Sequence, residues 1–169
     1  LESGILALQS LGKGFFMDNK DQLLAFLKSQ QLLVVGTLAE EQWITNVFYG
    51  IDDDFKIYFV SDSERTHSQH ILQNPIVTFS TVWFDPANHE DRKGVQGRGV
   101  CRKAENTKDI ENGVSLHNKL FPEFKARITP DYISSAENKS HIWIIEPKLI
   151  KFWDDELYKD KQWEEFIFN

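Results

Sequence analysis

The chain has 169 residues, a length suited to one domain, and its 41% hydrophobic and 13% aromatic content implies a packed core rather than a disordered chain. A formal charge of −7 argues against nucleic acid as a partner, because phosphate backbones are held by basic surfaces. Cys101 is the single cysteine, so an internal disulfide is excluded and a thiolate zinc site disfavoured, and no apolar run approaches the ~18 residues of a membrane span.

Residues 1–16 lack the basic start and small-residue cleavage site of a secretory signal, and Met17 is the only methionine. They read as an extension ahead of the natural start or as a disordered N-terminal segment. Residues 17–169 read as a single domain, with a cytoplasmic address by elimination.

After Met17, Asp18 or Asn19 can cap an amphipathic helix that carries Leu23, Leu24, Phe26 and Leu27 at helical spacing. Residues 31–39 form a nearly continuous β-branched run, and 42–51 alternate between two faces; the short AEE between them predicts a hairpin. The three aspartates 52–54 read as a solvated hairpin tip, followed by an alternating strand over 55–61.

The stretch SDSERTHSQHILQNP, 61–75, comes next. Ser61 followed by Glu64 fits a capping box, which starts a helix near Asp62 or Ser63. Helix N-termini also attract anions, and Arg65, Thr66 and His67 add donors; against that, Asp62 and Glu64 offset the positive charge. Local chemistry alone favours a plain cap. His67 and His70 can share a helix face, but no third ligand stands at a set spacing, so solvated or supporting histidines are expected rather than a metal site. His89, His117 and His141 are scattered and form no constellation.

Residues 76–84 predict a strong strand, 85–94 a polar loop, and 95–105 a strand whose glycines imply a bulge or a close backbone approach. A helix over 106–121 ends before Pro122, and 141–153 form a late strand that Pro147 should place at an edge or a bulge. The tail after 153 has no clear pattern. About six strands joined mainly as hairpins, with a few helices, predict an α+β, mainly β, antiparallel barrel rather than a parallel nucleotide-binding sheet.

From Asp21 to Glu105, the order of LLAFLKSQQLLVVGTLAEEQWITNVFYGIDDDFKIYFVSDSERTHSQHILQNPIVTFST and then KGVQGRGVCRKAE resembles the pyridoxamine 5'-phosphate oxidase-like, FMN-binding split-barrel superfamily. A weaker match continues through IWIIEPKLIKFW, and the likeness points to a small, poorly characterised bacterial branch. The resemblance implies a six-stranded antiparallel split β-barrel with flanking helices, and a homodimer with a cofactor groove at the interface. It implies FMN, with haem, a deazaflavin or no cofactor as alternatives, and a small-molecule substrate. No nucleic acid or membrane partner is expected.

The implied cofactor contacts are Asn46, Phe48 and Tyr49 on the ring-facing strand, Val60 and Ser61 at the strand end, and Gln96. Counted back from the Asn-Pro pair, the family's phosphate signature falls on Arg65, Thr66 and His67. Here the sequence departs from the family, since Thr66 and His67 replace two cations, and Asn46 and Ile51 replace two more at the ends of the ring-facing strand. The resemblance therefore supports two functions: a flavoprotein oxidoreductase with no catalytic residue identified, or a non-catalytic ligand- or haem-binding dimer that has lost flavin chemistry.

Overall fold

A computed structural model of the chain describes residues 18–169; the expected N-terminal extension, residues 1–16, lies outside them. The Asp18 carboxylate accepts from the Asp21 amide at 2.8 Å and caps helix α1 (Asn19–Ser29), whose Leu23, Phe26 and Leu27 face the core. Strands β1 (Leu32–Leu38) and β2 (Gln42–Ile51) pair as the expected hairpin, and β3 (Ile57–Asp62) follows the aspartate turn. Helix α2 (Thr66–Gln73) leads to β4 (Ile76–Asp85) and β5 (Asn88–Lys103). Helix α3 (Thr107–Leu120), a short helical turn and α4 (Pro130–Ser134) precede β6 (Ser140–Asp154). The tail forms α5 (Asp155–Tyr158), one more turn and β7 (Trp163–Ile167).

The sheet runs β3-β2-β1-β4-β5-β6-β7, with every pairing antiparallel, and β3 also pairs with β6. That pairing closes six strands into the split barrel. β7 extends β6 beyond the closure. β6 bonds β5 along its length, β3 through residues 140–145 and β7 through residues 149–153. Pro147 sits between the last two pairings, opposite the register shift at Arg98/Gly99. A residue with no N–H is tolerated where the ladder changes partner, so the expected bulge is present although β6 is not an edge strand.

Two expectations need correction. Residues 85–94 are not a loop: the chain turns within Asp85–Asn88 and re-enters the ladder, with Phe84 opposite Arg92 and Trp83 opposite Lys93. Their polarity reflects exposure of a long two-stranded arm, on which Lys93 lies 5.1 Å from the Trp83 ring centroid. The capping box is also absent, because β3 continues through Ser61 to Asp62 and α2 starts at Thr66. Among the described residues, no helix is long and apolar enough to cross a membrane.

The core lies inside the barrel, around Leu33, Val35, Tyr49, Phe79, Phe152 and Trp143. The glycines of β5 permit close approach: a Cβ on Gly97 would lie 2.2 Å from the Phe79 ring, which is itself buried. Phe79 cannot swing into solvent, so Gly97→Ala should destabilise the fold by about 1–3 kcal/mol. Denaturant unfolding measures this directly, and an unchanged midpoint would contradict the packing described. Helix α3 is set on the barrel by similar means. Asn106 caps it, Arg102 of β5 grips Asp109 at 2.9 Å, and Gly113 leaves room for Ile142, which a Cβ would approach to 2.5 Å.

Candidate functional site

The barrel splits where β2 and β3 part. Their ladder holds only from Tyr49↔Phe59 to Ile51↔Ile57; the first part of β2, residues 42–48, pairs with β1 alone, and residues 60–62 of β3 pair with β6 alone. A cavity of about 640 Å³ fills the split, a volume suited to a cofactor-sized ligand. One wall is the free edge of β2, with Trp43, Thr45, Asn46, Val47 and Phe48. The end of β3 supplies Val60 and Ser61, and the start of α2 supplies Arg65, Thr66 and His67. The last turn of α3 and the segment after it close the cavity with His117, Phe121 and Phe124.

The two carboxylates that weaken the anion reading are both engaged elsewhere. Asp62 accepts from the Glu64 amide at 2.8 Å, and Glu64 pairs with Lys139 at 2.7 Å. Arg65 occupies the N-cap position without capping through its side chain, and its guanidinium has no partner among the described residues. The amides of Thr66, His67 and Ser68 likewise have no acceptor there, the first helical bond being Gln69 N–H to Arg65 O at 2.9 Å. One unpartnered cation and a set of open N–H groups therefore stand together at the start of α2, which is the donor set a phosphate or carboxylate needs.

Ser61 does not cap the helix. Its Oγ lies 2.7 Å from His67 Nε2, and its carbonyl accepts from the Trp143 indole at 3.1 Å, so the end of β3 is tied both to α2 and to the core. His70 turns the other way, with Nδ1 3.2 Å from Thr37 Oγ1 on β1. The two histidines therefore diverge, and no group of three or more His, Cys, Asp or Glu that could hold a metal occurs among the described residues.

Burial, reinforced by Arg65 and His70 nearby, holds the His67 imidazole below the usual histidine range. It is neutral at pH 7 in the ligand-free protein. A folded-state pKa below the unfolded value of about 6.5 means that the unfolded chain takes the proton first; the stability involved is present above that pH and is lost as pH falls through the folded pKa. Wild type should therefore need less denaturant to unfold at pH 5 than at pH 7. His67→Gln should flatten that fall, leaving the part due to His141, which burial also holds low. Superimposable pH profiles for the two proteins would contradict the assignment.

Seven of the nine residues expected at the cofactor line this one cavity: Asn46, Phe48, Val60, Ser61, Arg65, Thr66 and His67. Tyr49 does not. Strand alternation turns it into the core, where its hydroxyl donates to Leu27 O at 2.7 Å. Gln96 lies on the outer face of β5, exposed, with Ser80 and Lys151 as ladder neighbours. Ile51, where the resemblance led one to expect a cation, is buried in the core.

The α3 wall was not legible in the sequence. His117 is not isolated: its ring centroid lies 5.3 Å from that of Phe121 and 6.0 Å from that of Phe124, and Phe121 meets Phe48 edge-on at 5.3 Å. The i, i+4 spacing of His117 and Phe121 at a helix end was the available signal.

No protein-family model and no curated protein matches the chain in sequence. Solved structures match it in three dimensions. A heme binding protein from Mycobacterium smegmatis superposes with a TM-score of 0.64 at 13% identity, over 82% of this chain and 53% of that one, so the chain spans about half its length. A Listeria innocua protein proposed to be a pyridoxamine 5'-phosphate oxidase gives 0.60 at 16% identity, over 79% of this chain and 96% of that one. HutZ, the heme storage protein from Vibrio cholerae, gives 0.56 at 15% identity, over 78% and 91%. At these identities the likeness establishes the fold.

Proposed function

Because the chain has the split-barrel fold of the pyridoxamine 5'-phosphate oxidase-like superfamily, we propose that it is an FMN-binding flavoprotein, an oxidoreductase acting on a small molecule. The observation that carries this reading is the unpartnered Arg65 beside the open amides of α2, at the mouth of a cavity walled by Phe48, Phe121 and Trp43. The phosphate would lie against Arg65 and the α2 N-terminus, and the ring against the aromatic wall. Bound flavin would supply the hydride or electron chemistry, while the protein binds, orients and excludes water. The missing family cations lower the charge on the site without removing it. Added FMN should give a bound-flavin spectrum and raise the unfolding temperature; no spectral change and no thermal shift would end this reading. The spectrum of the protein as purified separates FMN from a deazaflavin, which would use the same anion site.

A second reading, haem, is supported by the presence of two histidines, His67 and His117, in one cavity, and by the heme binding and heme storage descriptions of two similar structures. Hemin titration tests it. A sharp Soret band abolished by one His→Ala change would support axial ligation, and identical spectra for every such variant would refute it.

In either case the functional unit we propose is a homodimer, with the cavity opening onto the interface. Gln96, which does not line its own chain's cavity, would then approach the cofactor held mainly by the second copy.

A further inference from the structure

His117 is held by an arrangement that fixes which ring nitrogen carries its proton. The Ile128 carbonyl can only accept, so Asn118 must present its amide nitrogen there, and Nδ2 donates at 2.8 Å. That orientation leaves the Asn118 Oδ1 oxygen facing His117 Nδ1 at 3.1 Å. An amide oxygen is an acceptor, so in the neutral imidazole the proton sits on Nδ1 and Nε2 keeps its lone pair. Nε2 has no partner among the described residues. The cavity's other histidine differs, because Ser61 occupies His67 Nε2.

The surroundings narrow what this nitrogen can bind. Phe48, Phe121 and Phe124 make this end of the cavity aromatic and apolar, a wall for a flat ring. A ring edge of the form CO–NH–CO would bury one donor and two acceptors there, each of which needs a partner. His117 Nε2 offers an acceptor for the N–H. Asn46, whose side-chain amide is also unpartnered among the described residues, offers a donor for a carbonyl.

We propose that His117, oriented by Asn118, is the specificity-determining residue of the cavity and accepts through Nε2 the ring N–H of an imide-edged heterocycle. This rests on the flavin reading above, the isoalloxazine having such an edge. The test uses the full chain, FMN, and FMN methylated on the ring imide nitrogen. Wild type should bind FMN roughly ten-fold more tightly than the methylated probe. His117→Phe keeps an aromatic ring against Phe121 and Phe124 but removes the acceptor, so it should lose that factor for FMN and bind the two flavins alike. Equal binding of the two flavins by wild type, or discrimination that persists in His117→Phe, would overturn the proposal and leave the flavin reading intact. Failure of wild type to bind FMN at all would overturn both. Nitrogen NMR of the free protein at pH 8 gives an independent check: the Nδ1–H tautomer is expected for His117 in wild type and its loss in Asn118→Ala, whereas an Nε2–H tautomer in wild type would refute the proposal.

Discussion

An Arg65→Ala protein should bind FMN about 10- to 150-fold more weakly than wild type, the range that corresponds to losing one charge-assisted hydrogen-bonding group. The size of the effect follows from how few charges the site has. His67 is neutral near pH 7 because burial, with Arg65 nearby, disfavours its protonation, and Thr66 contributes a hydroxyl where the resemblance leads one to expect a cation. Asp62 and Glu64 do not compete, since one is bound to a backbone amide and the other to Lys139. Arg65 is then the permanent charge at the cavity mouth. Riboflavin, which lacks the phosphate, should bind wild type and Arg65→Ala alike, so the ratio of the two flavins isolates the anion contact from general damage to the fold. FMN affinity should also rise as pH falls below the usual histidine range, because a bound phosphate draws a proton onto His67. An Arg65→Ala protein with wild-type FMN affinity would remove the phosphate from this position.

The sequence was most informative where local patterns and the barrel agree. Alternation in residues 42–51 located β2 and predicted which side chains share a face, and the Asp18 cap marked α1 to within one residue. It misled where one residue type serves two purposes. Ser61 and Glu64 have the spacing of a capping box, but tertiary contacts decide: Ser61 remains in a strand that pairs with β6, and His67 takes its hydroxyl. The polar stretch 85–94 reads as a loop because exposed strands and loops share a composition. Tyr49 and Phe48 both looked suitable for a ring-facing strand, although neighbours on a strand point to opposite sides. The α3 wall was illegible for another reason. His117 and Phe121 are about fifty residues or more from the other cavity residues, and the packing of α3 on the barrel, through Arg102 on Asp109 and Gly113 against Ile142, brings them together.

The chain should sediment at twice its 19.7 kDa mass, and Ile44→Asp combined with Ile76→Asp should convert it to a monomer. The pattern behind this expectation is the parity of β1, β2 and β4. Odd-numbered residues such as Leu33, Val35, Val47, Val77 and Phe79 point into the barrel and are buried. The even-numbered residues share the outer face, where a barrel standing alone in water would alternate to polar side chains. Instead that face carries Ile44, Ile76, Phe48 and Val82, exposed by 70%, 62%, 59% and 58%, with Leu32 and Leu38 beside them. Large apolar side chains exposed at both ends of one sheet face suit an interaction site. A second copy of the same face is the occupant we favour, because it would also bring Gln96 of each chain toward the cavity of the other. A stable interface buries roughly 1,200–2,000 Å² in all, and two aspartates at its centre would each lose hydration without gaining a partner. The variant should keep the far-UV spectrum of the wild type, since both positions face outward. It should also bind FMN more weakly if, as proposed, the cavity opens onto the dimer interface. A wild-type chain that stays monomeric at tens of micromolar, or a double variant that still dimerises, would show that this face is covered by something else.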